Sequence, residues 1–185
     1  MLNKIFIFLI IFLNSLITLK AHSNDQISFD VSEIEILDGG NKIIGKNRGT
    51  ISTDNGIIID ADEFEFDKNK NTLKAKGNII IEDKINKLNF SAQNILYEKD
   101  KEKIEIIGKS NALIDSNYNF KTEDILILRK EMIISSDKGA TIIDNNSQTL
   151  YEIKKFSYSI KDKIIKGEKI LKNSKFNQPF SDKYF

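Results

Sequence analysis

The feature that most constrains this chain is a repeat of about thirty residues, a period typical of stacked structural units. Within each repeat a short run alternates polar residues with β-branched or aromatic ones, which is the pattern of a strand with one buried face. A glycine follows each run, and another apolar run begins after the glycine. Each unit therefore predicts two strands joined by polar turns. The first apolar residues of the five runs, separated by 30, 31, 30 and 31 positions, are Ile34, Phe64, Ile95, Ile125 and Phe156.

The glycines of the repeat predict local bends. A glycine inside a strand pattern usually marks a bulge or a sharp change of direction, so we expect a backbone role and no ligand contact. Ile-rich runs at this spacing, with Pro179 as the single proline, favour an antiparallel meander over helices. The fold class predicted is all-β. The five glycines are Gly49, Gly77, Gly108, Gly139 and Gly167.

The N-terminus carries a pattern typical of an export signal. Residues 5–19 are apolar apart from two positions, Lys4 precedes them, and small residues follow. The run is shorter than the roughly 20 residues of a spanning helix, which favours a signal peptide cleaved after Ser23. Cleavage after Ala21 and an uncleaved anchor are the alternatives. The predicted organisation is a signal peptide (1–23), a repeat domain (24–170) and a C-terminal extension (171–185).

Composition argues against chemistry in the exported chain. There is no cysteine, and the single histidine, His22, lies inside the predicted signal peptide. The mature chain therefore lacks the commonest general base, the commonest metal ligand and the thiol nucleophile. Across the full sequence 28 basic and 27 acidic residues nearly cancel, so no basic field is present to gather nucleic acid. We predict that the protein is not an enzyme, needs no cofactor or metal, and has no nucleic-acid partner.

Two adjoining segments carry a resemblance to a known family. Residues 58–67 (IIDADEFEFD) and 71–81 (NTLKAKGNIII) resemble the OstA-like domain of bacterial lipopolysaccharide transport proteins, the LptA family. Looser copies at 90–97 and 104–108 keep the register, so the resemblance covers roughly residues 29–170. It implies a twisted β-jellyroll of antiparallel strands, whose two sheets face each other around a groove for the acyl chains of lipid A.

The resemblance also implies a function and a location. It implies a periplasmic bridge protein, associated with the outer membrane, that binds lipopolysaccharide and delivers it there without chemistry. The chain ends at Phe185 without a polar tail, which favours the N-terminal periplasmic domain of an LptD-type protein, with a stand-alone LptA type as the alternative. The groove would be lined by the alternating apolar residues of the five runs, which are Ile34, Ile36, Phe64, Phe66, Ile95, Tyr97, Ile125, Ile127, Phe156 and Tyr158.

An open repeat leaves unpaired strands at its two ends, expected near residues 29–36 and 164–170. Soluble proteins usually protect such edges, whereas a bridge protein needs them to add a strand from another jellyroll of the Lpt type. Three other interpretations stay open. The apolar stripe could be an ordinary packed core, the chain could be a structural or adhesive repeat protein without a lipid, or it could be a β-helix enzyme acting on carbohydrate through Asp or Lys.

Overall fold

A computed structural model describes residues 27–174 and shows fourteen strands, all paired antiparallel. Two 3-10 helices of three residues each complete the regular structure of this range. The prediction of an all-β antiparallel fold is confirmed, and no helix between residues 27 and 174 is long and apolar enough to cross a membrane. The predicted signal peptide lies outside the described residues. The strands are β1 (Ile27–Leu37), β2 (Lys42–Thr53), β3 (Ile57–Ala61), β4 (Glu63–Asp67), β5 (Thr72–Asp83), β6 (Leu88–Glu98), β7 (Lys103–Ile114), β8 (Tyr118–Leu128), β9 (Ile133–Ser136), β10 (Ala140–Asp144), β11 (Thr149–Ile153), β12 (Lys155–Ser159), β13 (Ile164–Glu168) and β14 (Leu171–Ser174).

The strands form one sheet that is folded into two layers. Long strands such as β5 and β7 run through both layers. The short strands β3 and β4 together span the same length, as do β9 and β10, and each pair is interrupted where the layers join. The first layer has the order β1-β2-β4-β5-β6-β7-β8-β9-β12-β13, and the second has β1-β2-β3-β5-β6-β7-β8-β10-β11-β14. Each repeat supplies two neighbouring strands to each layer, which confirms the predicted architecture of five two-strand units. We call the line where the layers join the crease.

The crease is made by bulges, and glycine is required at one of them. The register between β5 and β6 shifts between Lys76 and Ile79, where Gly77 has a φ of 79°. A Cβ atom on Gly77 would lie 2.5 Å from Oδ2 of Asp62, so a side chain here would have to displace this carboxylate in addition to straining the backbone. The same carboxylate accepts a 2.7 Å hydrogen bond from Nδ2 of Asn78. The bend predicted at Gly77 is confirmed.

Gly108 and Gly139 follow this pattern, Gly49 adjoins a register shift between β1 and β2, and Gly167 is the exception. A second register shift, between Ile106 and Lys109, contains Gly108, whose N–H donates to Oδ1 of Asp124 at 2.8 Å. Gly139 lies between β9 and β10, also on the crease. Gly167 does not bend the chain, because it pairs in regular register inside β13. The crease lies farther along the chain, at residues 169–170, between β13 and β14.

The inner faces of the two layers pack against each other and form one apolar core. Aromatic rings make contacts between the layers at both ends of the sheet. The ring centroids of Phe29 and Phe66 are 5.9 Å apart, and those of Phe120 and Phe156 are 5.4 Å apart. Burial of side chains of this size stabilises the fold by about 1.5–3 kcal/mol each. The sheet continues to Ser174, because β14 pairs with β11 beyond the predicted domain end at residue 170.

Candidate functional site

The ten residues predicted to line a groove share one face of the first layer. The strand register places them on two ladders of opposed residues that run across all ten strands of this layer. Side chains directly opposite each other across an antiparallel pair lie on the same face of the sheet. One ladder contains Ile36, Ile43, Phe66, Leu73, Tyr97, Ile104, Ile127, Ile134, Tyr158 and Ile165, and the other contains Ile34, Gly45, Phe64, Ala75, Ile95, Ile106, Ile125, Ser136, Phe156 and Gly167.

The two ladders are covered along most of their length. Eight of the ten predicted residues are buried by the second layer, with exposed fractions between 0% for Tyr97 and 7% for Phe66. The other two lie on β1, where 49% of Ile34 and 62% of Ile36 are exposed. They belong to the same ladders, but β1 has a strand on one side only. The apolar face is therefore enclosed in the middle of the protein and open at its β1 end.

The second layer supplies an equal share of the apolar interior, which the sequence-based prediction missed. Its inner face carries a matching ladder whose middle members are all at most 4% exposed. The signal was present in the sequence, since Ile51, Ile81, Ala112 and Ile142 are spaced by 30, 31 and 30 positions. The ladder contains Phe29, Ile51, Ile59, Ile81, Phe90, Ala112, Phe120, Ile142 and Tyr151.

Both ends of the interior finish at strands with one neighbour. Within residues 27–174, β1 pairs with β2 alone, β13 with β12 alone and β14 with β11 alone. These edges also carry most of the exposed large apolar side chains, since Ile164 is 51% exposed and Leu171 is 61% exposed, in addition to the residues of β1. The predicted unpaired ends near residues 29–36 and 164–170 thus coincide with edge strands of the sheet.

The long side opposite the crease is closed by polar side chains. We call this side the mouth, because it is where the hairpin turns of the two layers meet. Lys99, from a first-layer turn, lies 3.1 Å from Oδ1 of Asp54 in a second-layer turn. At the next unit Arg129 pairs with Asp83, and beyond it Lys163 lies 3.2 Å from Oδ2 of Asp115. Within residues 27–174, three ion pairs at successive turns thus join the two layers at the mouth.

Arg129 donates hydrogen bonds to residues of both layers. Its Nε donates to Oδ2 of Asp83 at 2.8 Å, and its Nη2 donates to the backbone carbonyl of Asn55 at 2.8 Å. Its Nη1 donates to Oε2 of Glu102, a first-layer residue, at 3.0 Å. Only 3% of the side chains of Arg129 and Asp83 is exposed. Between residues 27 and 174, no buried side-chain nitrogen or oxygen lacks a hydrogen-bond partner, so this buried charge is fully compensated.

Two tyrosines of the first layer reach the same side of the interior. Nδ2 of Asn55 donates to the hydroxyl oxygen of Tyr97 at 2.8 Å, and the hydroxyl of Tyr158 donates to Oδ2 of Asp115 at 3.1 Å. Burial raises the pKa of Tyr97, although the Asn55 hydrogen bond opposes the shift. Burial, together with the hydrogen bond to Asp115, raises the pKa of Tyr158 strongly. Both phenols stay neutral, so the mouth consists of the ion pairs plus these hydrogen bonds.

An open groove of about 2010 Å³ lies along the second layer, and its lining residues include Phe90 and Phe120 of the inner ladder as well as outward-facing residues. We call it the outer groove. Its walls combine outward side chains of that layer, such as Leu113 and Asn111, with exposed residues of the crease, such as Lys109 and Lys154. It contains none of the ten predicted lining residues. Within the described range no group of three or more His, Asp or Glu side chains could hold a metal ion.

Comparison with known proteins gave no match to a family model and no match to a curated protein. One solved structure that matches is LptH, described as the LptA homologous periplasmic component of the conserved lipopolysaccharide transport device from Pseudomonas aeruginosa. The sequences are 12% identical, the match covers 82% of this chain and 96% of that chain, and the TM-score is 0.34. The function of the present chain must therefore follow from its own residues.

Proposed function

We propose that this protein is a periplasmic lipid-binding module that holds the acyl chains of lipopolysaccharide between its two layers and passes the lipid toward the outer membrane. The observation that carries the proposal is the pair of first-layer ladders, which continue from one edge strand to the other, together with the facing ladder of the second layer. Burial of each acyl CH₂ is worth about 0.8 kcal/mol, so an apolar interior binds a lipid without any titrating group. The resemblance of residues 58–81 to the OstA-like domain supports the same ligand class.

We propose further that the module works as one member of a chain of similar modules. Among the strands between residues 27 and 174, the edge strands β1, β13 and β14 have a neighbour on one side only, so the backbone groups of the other side can add a strand from another jellyroll protein. Their exposed apolar side chains lie where the interior of one module would continue into the next. Charged side chains on β1 do not cover its apolar residues, since Ile34 and Ile36 remain exposed, so this edge is open to pairing with another strand. Addition of a neighbour would cover these residues and join two apolar interiors end to end.

Photo-crosslinking tests the lipid site with neighbouring residues as controls. Ile95 and Leu96 are adjacent on β6, but Ile95 faces the interior and Leu96 faces outward, and Ile125 and Leu126 repeat this pair on β8. A photoreactive amino acid at Ile95 or Ile125 should capture lipopolysaccharide, whereas one at Leu96 or Leu126 should not.

A fifth photoreactive site separates the interior from the outer groove. Leu113 faces outward on β7 and lines that groove. Capture at Leu113 with none at Ile95 and Ile125 would mean that the lipid binds outside the second layer. Absence of capture at every site would instead leave a structural repeat protein, and either result would overturn the proposal.

A further inference from the structure

The two long sides of the interior are closed in different ways. At the crease the backbone itself passes from one layer to the other, so the layers cannot separate there without breaking strands. At the mouth, side chains make the contacts, whereas the backbone hydrogen bonds between turns join turns of the same layer, as from Arg129 to Glu102 or from Lys84 to Gly56. The mouth is therefore the side on which the layers can part while both keep their strand pairing.

From this difference we infer that the mouth is the entry route for acyl chains, and that the pairing of Arg129 with Asp83 and Asn55 is a reversible latch across it. The inference rests on the proposed function. In the closed structure eight of the ten first-layer residues assigned to the lipid site are buried. A lipid can reach them only after the layers have moved apart or by sliding in from an end.

The chemistry of the latch suits reversible opening. Taking a charged pair out of water costs about as much free energy as the pairing returns, so a buried ion pair closes the mouth without sealing it strongly. When the mouth opens, Arg129, Lys99 and their acidic partners return to water, and the newly exposed lips are charged. An apolar contact at the same place would instead expose apolar side chains to water when the mouth opens.

The ends of the interior are the other candidate route, but assembly removes it. Under the proposed function the edge strands β1, β13 and β14 are covered by neighbouring modules. The routes into the interior that stay open to a lipid in an assembled chain of modules are then the crease and the mouth. The three ion pairs recur at successive units along the mouth, so the whole side can open unit by unit.

The first arm of the test weakens the latch. Arg129→Met removes the guanidinium, while the carboxylate of Asp83 keeps its hydrogen bonds from the backbone N–H groups of Ile85 and Asn86. Lys130→Met is the matched control, because the adjacent Lys130 bonds to the carbonyl of Asp100 within the same layer. The probe is N-phenyl-1-naphthylamine, an apolar fluorophore, and stopped-flow fluorescence follows its uptake. We expect uptake to become about tenfold faster or more in Arg129→Met and to stay unchanged in Lys130→Met.

The second arm locks the mouth and does not depend on the first variant being stable. Because the chain has no cysteine, the double variant Asp54→Cys, Lys99→Cys can be joined across the mouth by a short bismaleimide. The control is Asn71→Cys, Asp100→Cys, a hydrogen-bonded pair of turns within the first layer. The lock across the mouth should slow uptake of the probe and of lipopolysaccharide about tenfold or more relative to the same variant without linker, whereas the control lock should leave both unchanged.

The outcomes separate the two proposals. If the protein locked across the mouth takes up probe and lipopolysaccharide at the unlocked rate, entry occurs elsewhere and the latch is overturned, while the lipid-binding function stands. If unlocked, folded protein binds neither lipopolysaccharide nor the probe, the proposed function fails and the latch fails with it. Circular dichroism of each variant establishes that it is folded.

Discussion

The inward and outward faces of the first layer can be tested on two adjacent isoleucines of β7. Ile106 is 1% exposed and Ile107 is 52% exposed, so the pair differs in burial while sharing strand, residue type and position along the chain. Replacement by alanine removes three carbon atoms, worth about 0.8 kcal/mol each when fully buried, or about 2.4 kcal/mol at Ile106. The cavity left behind raises the expected cost to about 2–5 kcal/mol. At Ile107 roughly half of the transfer term applies and no enclosed cavity forms, which gives about 1 kcal/mol.

Urea unfolding followed by far-UV circular dichroism measures both costs. The midpoint should fall much further for Ile106→Ala than for Ile107→Ala, with the slope of the free energy against urea unchanged in both. For a domain of this size the larger loss corresponds to a fall in Tm of about 5–15 °C. Equal losses at the two positions would refute the assignment of faces. A loss below about 1 kcal/mol at Ile106 would mean that its surroundings are not a packed interior.

Two further predictions concern assembly and pH. Cysteines placed at both edges, in the variant Ile34→Cys, Ile165→Cys, should give a ladder of oligomers on oxidation, whereas each single variant should stop at dimers; a double variant that also stops at dimers would contradict head-to-tail addition. Because the pKa values of Tyr97 and Tyr158 are raised in the folded state, the native protein keeps protons that the unfolded chain releases, so the free energy of unfolding should fall as the pH rises above about 10. Urea midpoints between pH 9 and 11 should fall less steeply in the variant Tyr97→Phe, Tyr158→Phe, and an unchanged slope would exclude the tyrosines as the cause.

Local patterns were enough to predict the repeat and the set of side chains that share the apolar face of the first layer. Alternation in runs such as that from Glu63 to Asp67 shows which side chains share a face, and the period shows that Phe64, Ile95 and Ile125 occupy equivalent places. Glycine at a position that excludes a side chain, as at Gly77, predicted a bend correctly. At Gly167 the same reasoning failed, because a glycine at the edge of a sheet can also fit a regular ladder beside a bulky neighbour, here Ile153.

The contacts across the mouth could not be predicted in the same way. Arg129 and Asp83 are 46 positions apart, which is not a multiple of the repeat, and their meeting depends on how the two layers fold onto each other. A lone arginine in a polar turn looks like many solvated charges. The exposure of Ile34 and Ile36, in contrast, agrees with the unpaired strand expected near residues 29–36, since β1 has a neighbouring strand on one side only.

The crease gives the molecule a property that a closed barrel lacks. Every unit bends at the crease in the same way, and its last strands pair with the first strands of the next unit. The cross-section therefore does not depend on how many units are present. Strands lie about 4.8 Å apart, and each two-strand unit therefore adds about 10 Å of length. Duplication or loss of one unit would change the span of the module in steps of that size while leaving both terminal edge strands as they were. The thirty-residue period thus allows the length of the module to change by duplication of one repeat, because the added unit packs as its neighbours do.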